Sequence, residues 1–310
     1  MKDWGDLHIL LMYPRHKGTT GDYVERALKL MGVDVYSYDL FQARNLSSYR
    51  YPIYLFWENL RNVTLSKIVS KCGQKPDLII EVDGADFHHP SEYNKISIPK
   101  VYWGIDTHLK LHWHKRLARE MNCLFLAQKD YLQFFEDMPC RVEWLPLAAD
   151  PDIHSGYSVP KLFDIGFVGS VLRERHPERV RLLSLLQNKY SVLAVSGIFG
   201  IDMAKVYNLA RIGFNKSIKG DLNMRVFEIL CAGTMLLTDR IENGLDLLFE
   251  NGKHLVTYGD DTEMERQIEN FLNKEEERER IALAGKREVI ERHTYAKRVE
   301  TMLEKSLDAN

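Results

Sequence analysis

The sequence lacks a charge imbalance, a long apolar run and a secretion signal. Its 310 residues carry 42 basic and 44 acidic side chains, for a formal net charge of −2, so general nucleic-acid binding is not expected. The longest apolar runs, such as Ile9–Tyr13, are far too short to cross a bilayer. The first residues, Met-Lys-Asp-Trp-Gly-Asp, do not have a signal-peptide pattern. We therefore expect a cytoplasmic protein without a transmembrane segment, whose membrane association, if there is any, is peripheral.

Cysteine is scarce, and the four cysteines are widely scattered: Cys72, Cys123, Cys140 and Cys231. No two of them have the spacing of metal ligands, and nothing in their positions indicates a disulfide scaffold. The adjacent histidines His88 and His89 also lack further ligands at helical spacing. We predict free thiols in a reducing compartment, no metal site and no cofactor.

A dinucleotide-binding fingerprint is missing as well. In the loop that precedes the first predicted helix, Gly18 and Gly21 are the only glycines, and their spacing is not that of G-x-G-x-x-G. Two glycines before a helix can still bring backbone N–H groups close to an anion. This loop alone is a weak indication of a ligand.

The chain does contain a regular alternation of short apolar strands and amphipathic helices. Hydrophobic residues make up 45% of it and charged residues 28%, which are ordinary values for a globular protein. Such an order predicts α/β units with parallel sheets. The alternation stops between Pro146 and Pro160, a segment with three prolines and a glycine, and restarts at Phe163. We predict one domain over residues 1–150, a linker, and a second domain over residues 161–310.

The most informative stretch is residues 212–239. It predicts a short buried strand, a polar loop, a helix that begins after Asn223 and ends before Gly233, and a second buried strand. An order of strand, loop, helix and strand places the loop and the start of the helix at one edge of a parallel sheet, where ligands of such sheets bind.

Two charged residues of this predicted helix, Arg225 and Glu228, are three positions apart and share one face. At the start of a helix, free N–H groups and a cation suit a phosphate, and a carboxylate one turn further can accept hydrogen bonds from sugar hydroxyls. The alternative is a solvated ion pair on a surface helix. The residues alone do not decide between the two.

The same stretch resembles a known family. The run Gly220-Asp-Leu-Asn-Met-Arg-Val-Phe-Glu-Ile-Leu-Cys-Ala-Gly, followed by Leu-Leu-Thr-Asp, is similar to the signature of glycosyltransferases related to the spore maturation protein CgeB, of the GT-B type. Shorter matches are Trp103-Gly-Ile-Asp-Thr-His, Gly244-Leu-Asp-Leu-Leu-Phe and His293-Thr-Tyr. The resemblance implies an α/β fold of two Rossmann-like domains that face a central cleft. It also implies that the last helix, about residues 294–308, packs on the first domain.

The resemblance further implies a hexosyltransferase-like enzyme that takes a sugar from a nucleotide-diphosphate sugar without a metal, with a UDP-sugar favoured as donor. The acceptor stays open between a glycan, a protein, a lipid and a small molecule. Such a transfer needs positive charge to stabilise the departing diphosphate and a cleft that excludes water.

Candidate donor-binding residues lie mainly in the second half of the chain. Gly169 and Ser170 end a predicted strand and precede Arg173, Arg175 and Arg179, whose guanidinium groups can bind phosphate oxygens in a forked geometry. The predicted nucleotide-sugar-binding residues are Gly18, Gly21, Gly169, Ser170, Arg173, Lys216, Asp221, Asn223, Arg225 and Glu228.

Candidate catalytic residues lie in the first half, after predicted strands: His16, Asp83, Asp106 and His108. By resemblance, the loop around His16 would lie near the reacting sugar. Asp106 and His108 stand where a carboxylate can orient a hydroxyl and an imidazole can exchange a proton near neutral pH. The alternative for His16 is a solvated loop histidine, and for Asp83 it is a turn or capping residue.

One position departs from the family pattern. Retaining relatives of this architecture carry two glutamates eight positions apart at this helix, the earlier near the sugar and the later on the ribose. Glu228 matches the later one, whereas Gly220, with Asp221 beside it, stands at the earlier position. The ribose contact therefore transfers by resemblance and the sugar contact does not, so the stereochemical outcome stays open, with retention slightly favoured. Two rivals also stay open: a nucleotide-sugar 2-epimerase of the same fold, and a non-catalytic nucleotide- or carbohydrate-binding relative.

Overall fold

The computed structural model of the protein describes residues 4–40, 63–83 and 89–307. The aromatic-rich stretch Tyr51–Trp57, to which the sequence assigns no definite element, lies outside the described residues. Two compact units are present. The first comprises Met1–Pro146 with Arg298–Asn310, and the second comprises Leu147–Lys297.

The first unit is built on a six-stranded parallel sheet. Its strands are β1 (His8–Tyr13), β2 (Asp34–Asp39), β3 (Leu78–Val82), β4 (Lys100–Gly104), β5 (Cys123–Leu126) and β6 (Arg141–Trp144). They run in the order β2-β1-β3-β4-β5-β6. Strands β3, β4 and β5 are buried along their whole length, which explains why their sequences are nearly continuous apolar runs.

Helices pack on this sheet. They are α1 (Thr20–Leu30), α2 (Leu65–Val69) and α3 (Thr107–Ala118), with 3₁₀ turns at Tyr93–Lys95 and Lys129–Phe135. Helix α1 begins where the hydroxyl of Thr19 accepts a hydrogen bond from the backbone N–H of Asp22. Its apolar face, with Val24, Ala27 and Leu28, is buried.

The second unit is built on a five-stranded parallel sheet. Its strands are β7 (Phe163–Val168), β8 (Val192–Val195), β9 (Ala210–Asn215), β10 (Met235–Asp239) and β11 (Val256–Tyr258). They run in the order β11-β10-β9-β7-β8. Its helices are α4 (Pro151–His154), α5 (Pro177–Gln187), α6 (Ile201–Leu209), α7 (Met224–Cys231), α8 (Leu245–Leu248), α9 (Asp261–Asn273) and α10 (Glu275–Arg292).

Helix α7 is the most deeply buried of these. Val226, Phe227, Ile229 and Leu230 are fully buried, because they pack against the sheet and against α10. The helix is followed by Gly233, whose φ of +74° is the left-handed conformation predicted for that position. The position of α7 is therefore tightly fixed by its neighbours.

Two predicted elements differ in the structure. Residues 129–136 are predicted as an α-helix but form a 3₁₀ helix over Lys129–Phe135, in which only Phe135 is buried. One buried side chain cannot supply the apolar stripe that stabilises a short α-helix. The predicted linker, residues 146–160, contains the short helix α4, because Asp150 caps it and Pro151 suits its first position.

The last helix, α11 (Tyr295–Leu307), begins in the second unit, and its residues from Arg298 onward belong to the first. Within the first unit, Nε of Arg298 donates to the carbonyl of Pro146 at 2.7 Å. A guanidinium nitrogen of Arg141 donates to the carbonyl of Lys305 at 3.0 Å. These contacts hold the end of the chain against strand β6.

Replacing Gly213 by alanine should destabilise the second unit. A Cβ at that position would lie 2.4 Å from Cγ2 of Ile229, so strand β9 and helix α7 would have to separate. We expect the free energy of unfolding, measured by urea denaturation, to fall by about 1–3 kcal/mol. Ile229→Ala removes the overlapping methyl group, so the double variant should lose less than the sum of the two single losses. Additive losses would contradict this account of the packing.

Candidate functional site

The sheet of the second unit has a topological switch point between β7 and β9. The chain passes from β7 to β8 on one side, and β9 is then added on the other side of β7. The loops that follow β7 and β9 therefore diverge and leave a crevice at the carboxyl ends of these strands. Parallel sheets bind ligands in such crevices.

A cavity of about 280 Å³ lies at this edge. It is lined by Arg175, His176, Pro177, Glu178 and Arg179 after β7, and by Lys216, Ser217, Ile218 and Lys219 after β9. Four of these side chains are cations and one is a carboxylate, and that carboxylate, Glu178, is engaged by Arg181 outside the cavity. The cavity therefore has the charge to hold an anion.

Arg179 joins the two loops of the crevice. One guanidinium nitrogen donates to the carbonyl of Ser170 at 3.2 Å and another to the carbonyl of Lys216 at 3.1 Å. The side chain is only 5% exposed, and its burial and the nearby charge of Arg225 lower its pKa to about 10. Arg179 is therefore a buried cation at neutral pH, and it forms no ion pair with any carboxylate in the described parts of the chain.

Arg225, on the first turn of α7, reaches the same strand ends. Its Nε donates to the carbonyl of Val168 at 2.7 Å, and a terminal nitrogen donates to Oδ1 of Asn215 at 2.8 Å. The guanidinium carbon lies 4.8 Å from the ring centre of Phe167, and that of Arg179 lies 5.6 Å from the same ring. Two cations thus share one aromatic ring at the end of β7, which concentrates positive charge there.

Arg225 also explains why residue 169 is glycine. A Cβ at Gly169 would lie 2.2 Å from a guanidinium nitrogen of Arg225. The absence of a side chain allows the arginine to cross the end of the strand. The glycine was singled out as a phosphate contact, and in the structure it makes room for a cation.

The loop after β9 is held by an acid at the end of β10. Oδ2 of Asp239 accepts from Nζ of Lys216 at 2.8 Å and from the hydroxyl of Ser217 at 2.6 Å. Oδ1 of the same carboxylate accepts from the backbone N–H of Ser217 at 2.8 Å. Lys216 therefore lines the cavity, and Asp239 balances part of its charge; its contact with a phosphate stays a prediction.

The turn before α7 has a backbone that suits glycine. Lys219 and Gly220 have φ values of +52° and +72°, and the N–H of Asp221 donates to the carbonyl of Ile218 at 3.0 Å. A glutamate at position 220 would be strained in this conformation. The departure from the two-glutamate pattern thus coincides with a tight turn, in which Asp221 is buried.

Asn223 occupies the predicted N-cap position of α7, but its side chain does not cap the helix. Its Nδ2 lies 3.4 Å from Oδ1 of Asn215 instead. The side chain that was expected to cover the first N–H groups of α7 is therefore turned toward the end of β9. This leaves those N–H groups without a side-chain cap from Asn223.

Glu228 lies on α7 one turn beyond Arg225 and is only 5% exposed. Burial raises the pKa of its carboxyl group to about 7, and the positive charge of Arg225 opposes this rise. Its Oε1 lies 3.8 Å from Nε2 of His154, whose pKa burial lowers to about 4. Nδ1 of His154 accepts a hydrogen bond from the N–H of Asp150. A neutral imidazole and a half-ionised carboxyl group therefore face each other near neutral pH.

The sheet of the first unit also has a switch point, between β1 and β3. After β1, the exposed His16 has Nδ1 3.0 Å from the carbonyl of Lys17. The N–H of Gly18 donates to the carboxylate of Asp22, and a Cβ at Gly21 would overlap the ring of Tyr13. The two glycines therefore serve the turn and the packing of α1 in this structure.

Asp83, directly after β3, is almost completely buried and accepts four hydrogen bonds. The donors are the N–H groups of Ile105 and Asp106, Nζ of Lys110 and Nε2 of His114, at 3.1–3.2 Å. Although burial alone would raise it, these donors and the charges of His114 and Lys110 hold the pKa of Asp83 well below its usual range. Asp83 anchors the start of helix α3, on which Asp106 is the N-cap residue and His108 the second residue.

The loop around His89 contains a second buried network. One ring nitrogen of His89 pairs with the carboxylate of Glu81, and the other accepts from the indole N–H of Trp113 at 2.7 Å. Among the described residues no group of three His, Cys, Asp or Glu side chains has the arrangement of a metal site. His88 lies outside the described residues.

The structure brings together one set of predicted residues in each unit. In the second unit, Ser170, Lys216 and Arg225 meet at the ends of β7 and β9, whereas Arg173 is exposed on the loop between β7 and α5. In the first unit, Asp83 and Asp106 are joined by a hydrogen bond.

Sequence reasoning missed four residues of the second-unit site: His154, Phe167, Asn215 and Asp239. Asn215 and Asp239 are polar residues that end buried strands, and this signal was available in the sequence. Phe167 carried no such signal, because its contacts with two arginines depend on which loops the fold brings together. Arg179 is predicted as one of the arginines that follow β7, but its two backbone acceptors are not.

The chain is similar to known proteins in part of its sequence and in its fold. Residues 163–304 match a family model described as glycosyl transferase-like. No curated protein sequence matches the chain significantly. Among solved structures, Anabaena Alr3699/HepE in complex with UDP and glucose is 12% identical, covers 98% of this chain and 100% of its own, and has a TM-score of 0.61.

Two further structures extend over the same length. Sucrose-phosphate synthase from Thermosynechococcus elongatus is 14% identical, with 98% and 99% of the two chains covered and a TM-score of 0.67. The UDP-forming α,α-trehalose-phosphate synthase from Burkholderia xenovorans is 11% identical, with 97% and 98% covered and a TM-score of 0.63. The fold is that of the GT-B glycosyltransferases. The prediction of an α/β fold with two Rossmann-like domains is therefore confirmed.

The four cysteines are free thiols in the structure, as predicted. Within residues 4–40, 63–83 and 89–307, none of the helices combines the length and the apolar character needed to cross a membrane.

Glu228→Gln should stabilise the protein at alkaline pH. The folded-state pKa of Glu228, about 7, is raised above its ordinary value of 4.5, so the wild-type carboxyl group loses stability as pH rises through this interval. Below pH 4.5 the variant and the wild type should unfold alike. Above pH 7 the variant should be more stable, by up to about 3 kcal/mol.

Urea denaturation at pH 4.5, 6 and 8 measures this difference. Glu265→Gln, at an exposed ion pair with Lys189 in the same unit, is the matched control and should show no such gain. A constant difference between Glu228→Gln and wild type across this range would contradict the raised pKa.

Proposed function

We propose that the protein is a glycosyltransferase that transfers a sugar from a UDP-sugar to an acceptor, without a protein-bound metal. The observation that carries the proposal is the cation-rich cavity at the β7–β9 switch point, beside the start of α7. The match of residues 163–304 to a glycosyl transferase-like model supports it, since this segment contains the whole cavity. The fold shared with a structure that binds UDP and glucose supports the choice of donor.

In this proposal the cavity holds the diphosphate of the donor. Arg175 lines the cavity from the loop after β7 and Lys219 from the loop after β9. The buried Arg179 adds a third positive charge to its lining. The start of α7, which the side chain of Asn223 does not cap, adds the partial positive charge of a helix N-terminus on the same side. Together these groups stabilise the negative charge that develops on the leaving UDP when the glycosidic bond breaks, which is the role that a metal would otherwise fill.

Glu228 is proposed to bind a ribose hydroxyl. A buried carboxyl group with a pKa of about 7 has lost much of its hydration, so a hydroxyl donor that reaches it supplies a hydrogen bond that water cannot. Because His154 is neutral at this pH, it does not form an ion pair with the carboxylate of Glu228. Binding of the ribose should therefore favour the ionised carboxylate and lower its pKa.

The acceptor side is proposed to lie in the first unit, at the carboxyl ends of β1, β3 and β4. His16 and His108 are the candidate proton acceptors, and Asp106 is a candidate contact to the acceptor hydroxyl. Asp83 is already occupied by four donors, so we assign it the task of positioning α3. The acceptor itself, and retention or inversion at the sugar, are not part of the proposal.

UDP binding tests the cavity directly. We expect Arg175→Gln and Lys219→Gln each to weaken UDP binding about tenfold, because each removes a charged contact to phosphate. Binding of uridine, which has no phosphate, should be unchanged by either substitution. Isothermal titration calorimetry measures both ligands, and Lys253→Gln, an exposed lysine paired with Glu250, is the matched control.

Three results would contradict the assignment. UDP that binds no more tightly than uridine would mean that the cavity does not recognise the diphosphate. Equal UDP affinity of the two variants and the control would place the diphosphate elsewhere. Conversion of a UDP-sugar to its 2-epimer without an acceptor would identify the rival epimerase.

Glu228→Gln tests the ribose contact separately. We expect weaker binding of UDP and of uridine by the same factor, about fivefold to tenfold, because the amide is a weaker acceptor for a hydroxyl than a carboxylate. Binding of 2′,3′-dideoxyuridine should be equal in variant and wild type. A loss confined to UDP, with uridine unaffected, would show that Glu228 acts on the phosphates and not on the ribose.

A further inference from the structure

A second cavity, of about 430 Å³, lies at the other edge of the sheet in the second unit. Its walls come from the segment before β7, the end of α6, the end of α7 and one face of α10. Because the strands are parallel, this edge carries their amino ends, and the cavity is separated from the start of α7 by the eight residues of that helix, roughly 12 Å. It is therefore distinct from the site at the β7–β9 switch point.

Hydrogen bonds and close backbone packing fix the walls of this cavity. The buried Asn208 accepts a hydrogen bond from the N–H of Tyr157 at 2.7 Å and donates to the carbonyl of Ala204 at 2.6 Å. A Cβ at Gly156 would lie 2.3 Å from the carbonyl oxygen of Ala232, so this segment crosses the end of α7 at close range. The cavity is thus a fixed feature of the unit and not a gap between loose loops.

Two lysines line the cavity, and neither forms an ion pair with a carboxylate in the described ranges. Lys161 is half-buried, and its Nζ lies 3.5 Å from the hydroxyl of Thr234, which itself donates to the carbonyl of Tyr207. Lys286, on α10, is half-buried, and its Cδ lies 3.2 Å from the position that a Cβ at residue 233 would take. Many other lysines of this unit do form ion pairs, for example Lys189 with Glu265 and Lys205 with Asp202.

The surroundings of Lys161 favour an anionic partner. Burial lowers the pKa of Lys161, and the charge of Glu279 opposes this effect. An ammonium group that is partly removed from water without a carboxylate partner is destabilising. A bound anion would supply the partner.

Three further wall groups suit hydroxyls, beside the apolar side chains of Val159 and Leu283. Tyr157 and Ser158 offer hydroxyl groups, and Glu279, exposed on the same face of α10 as Lys286, offers a carboxylate that can accept from a hydroxyl. A volume of about 430 Å³ accommodates a small polar molecule of one sugar ring with a substituent. We propose that this cavity binds a phosphorylated monosaccharide, with the phosphate held by Lys161 and Lys286 and the ring hydroxyls held by Tyr157, Ser158 and Glu279.

Calorimetric titration of the full chain with glucose 1-phosphate and glucose 6-phosphate tests the proposal, in the presence of saturating UDP so that the switch-point cavity is filled. At least one of the two should bind, and Lys161→Met and Lys286→Met should each weaken it about tenfold. Lys161→Arg, which keeps the charge, should retain most of the affinity. Lys253→Met is the matched control and should have no effect.

Inorganic phosphate and glucose are the two partial ligands. Each should bind at least tenfold more weakly than the sugar phosphate. Phosphate that binds as tightly as the sugar phosphate would overturn the assignment of Tyr157, Ser158 and Glu279 to the ring hydroxyls. The proposal is also overturned if neither sugar phosphate binds, or if the two lysine variants bind it like the control.

The proposal does not depend on the donor site. Lys161→Met and Lys286→Met should leave the dissociation constant of UDP unchanged, whereas Arg175→Gln should leave sugar-phosphate binding unchanged. If UDP fails to bind to any variant, the titrations are repeated without it, and the lysine variants still decide the outcome. Parallel loss of both ligands in a lysine variant would show a general defect of the unit and would contradict a separate site.

Discussion

The second unit depends on the two arginines that lie against Phe167. Arg179 ties the loop after β7 to the loop after β9, and Arg225 ties the start of α7 to both strands. Their acceptors are mostly backbone carbonyls at strand ends, groups that would otherwise lack partners in a buried position. Since neither guanidinium forms an ion pair with a carboxylate of the described residues, the network that shapes the crevice also leaves it positively charged. The same two arginines therefore determine both the shape of the crevice and its positive charge.

The same constraint reaches the neighbouring residues. Gly169 lacks a side chain because Arg225 occupies the space, and Asn215 is turned toward Arg225 and Asn223. On the far side, Asp239 holds Lys216 and Ser217, so the second loop cannot collapse onto the first. An anion entering the crevice would meet groups that are already in place, which reduces the cost of binding.

Much of the fold could be predicted from the sequence. The last helix, expected over about residues 294–308, is observed as α11 over Tyr295–Leu307. The left-handed glycine after α7 follows from helix-capping rules. The 3₁₀ helix at Lys129–Phe135 was mistaken for an α-helix, since local composition does not show how little of it is buried.

The site could be predicted only in part. Spacing on one helix face predicts Arg225 and Glu228 as site residues, and a place after a strand predicts Lys216 and Arg179; their roles in binding stay predictions. The contacts of Arg179 could not be predicted, because its two acceptors, Ser170 and Lys216, are nine and 37 positions away and become neighbours only in the folded sheet. Nor does the sequence show that four donors, on α3 and on the two residues at Ile105 and Asp106 before it, bind the carboxylate of Asp83. These bonds make Asp83 a residue that positions α3 and not a candidate base.

We propose that the crevice at the β7–β9 switch point holds the diphosphate of a UDP-sugar. A crystal structure of the full chain with UDP tests this proposal most directly. The account predicts phosphate oxygens within hydrogen-bond distance of Arg175, Lys219 or the first N–H groups of α7, and a ribose hydroxyl on Glu228. UDP bound away from these groups, or bound with its uridine end in the cation-rich cavity, would contradict it.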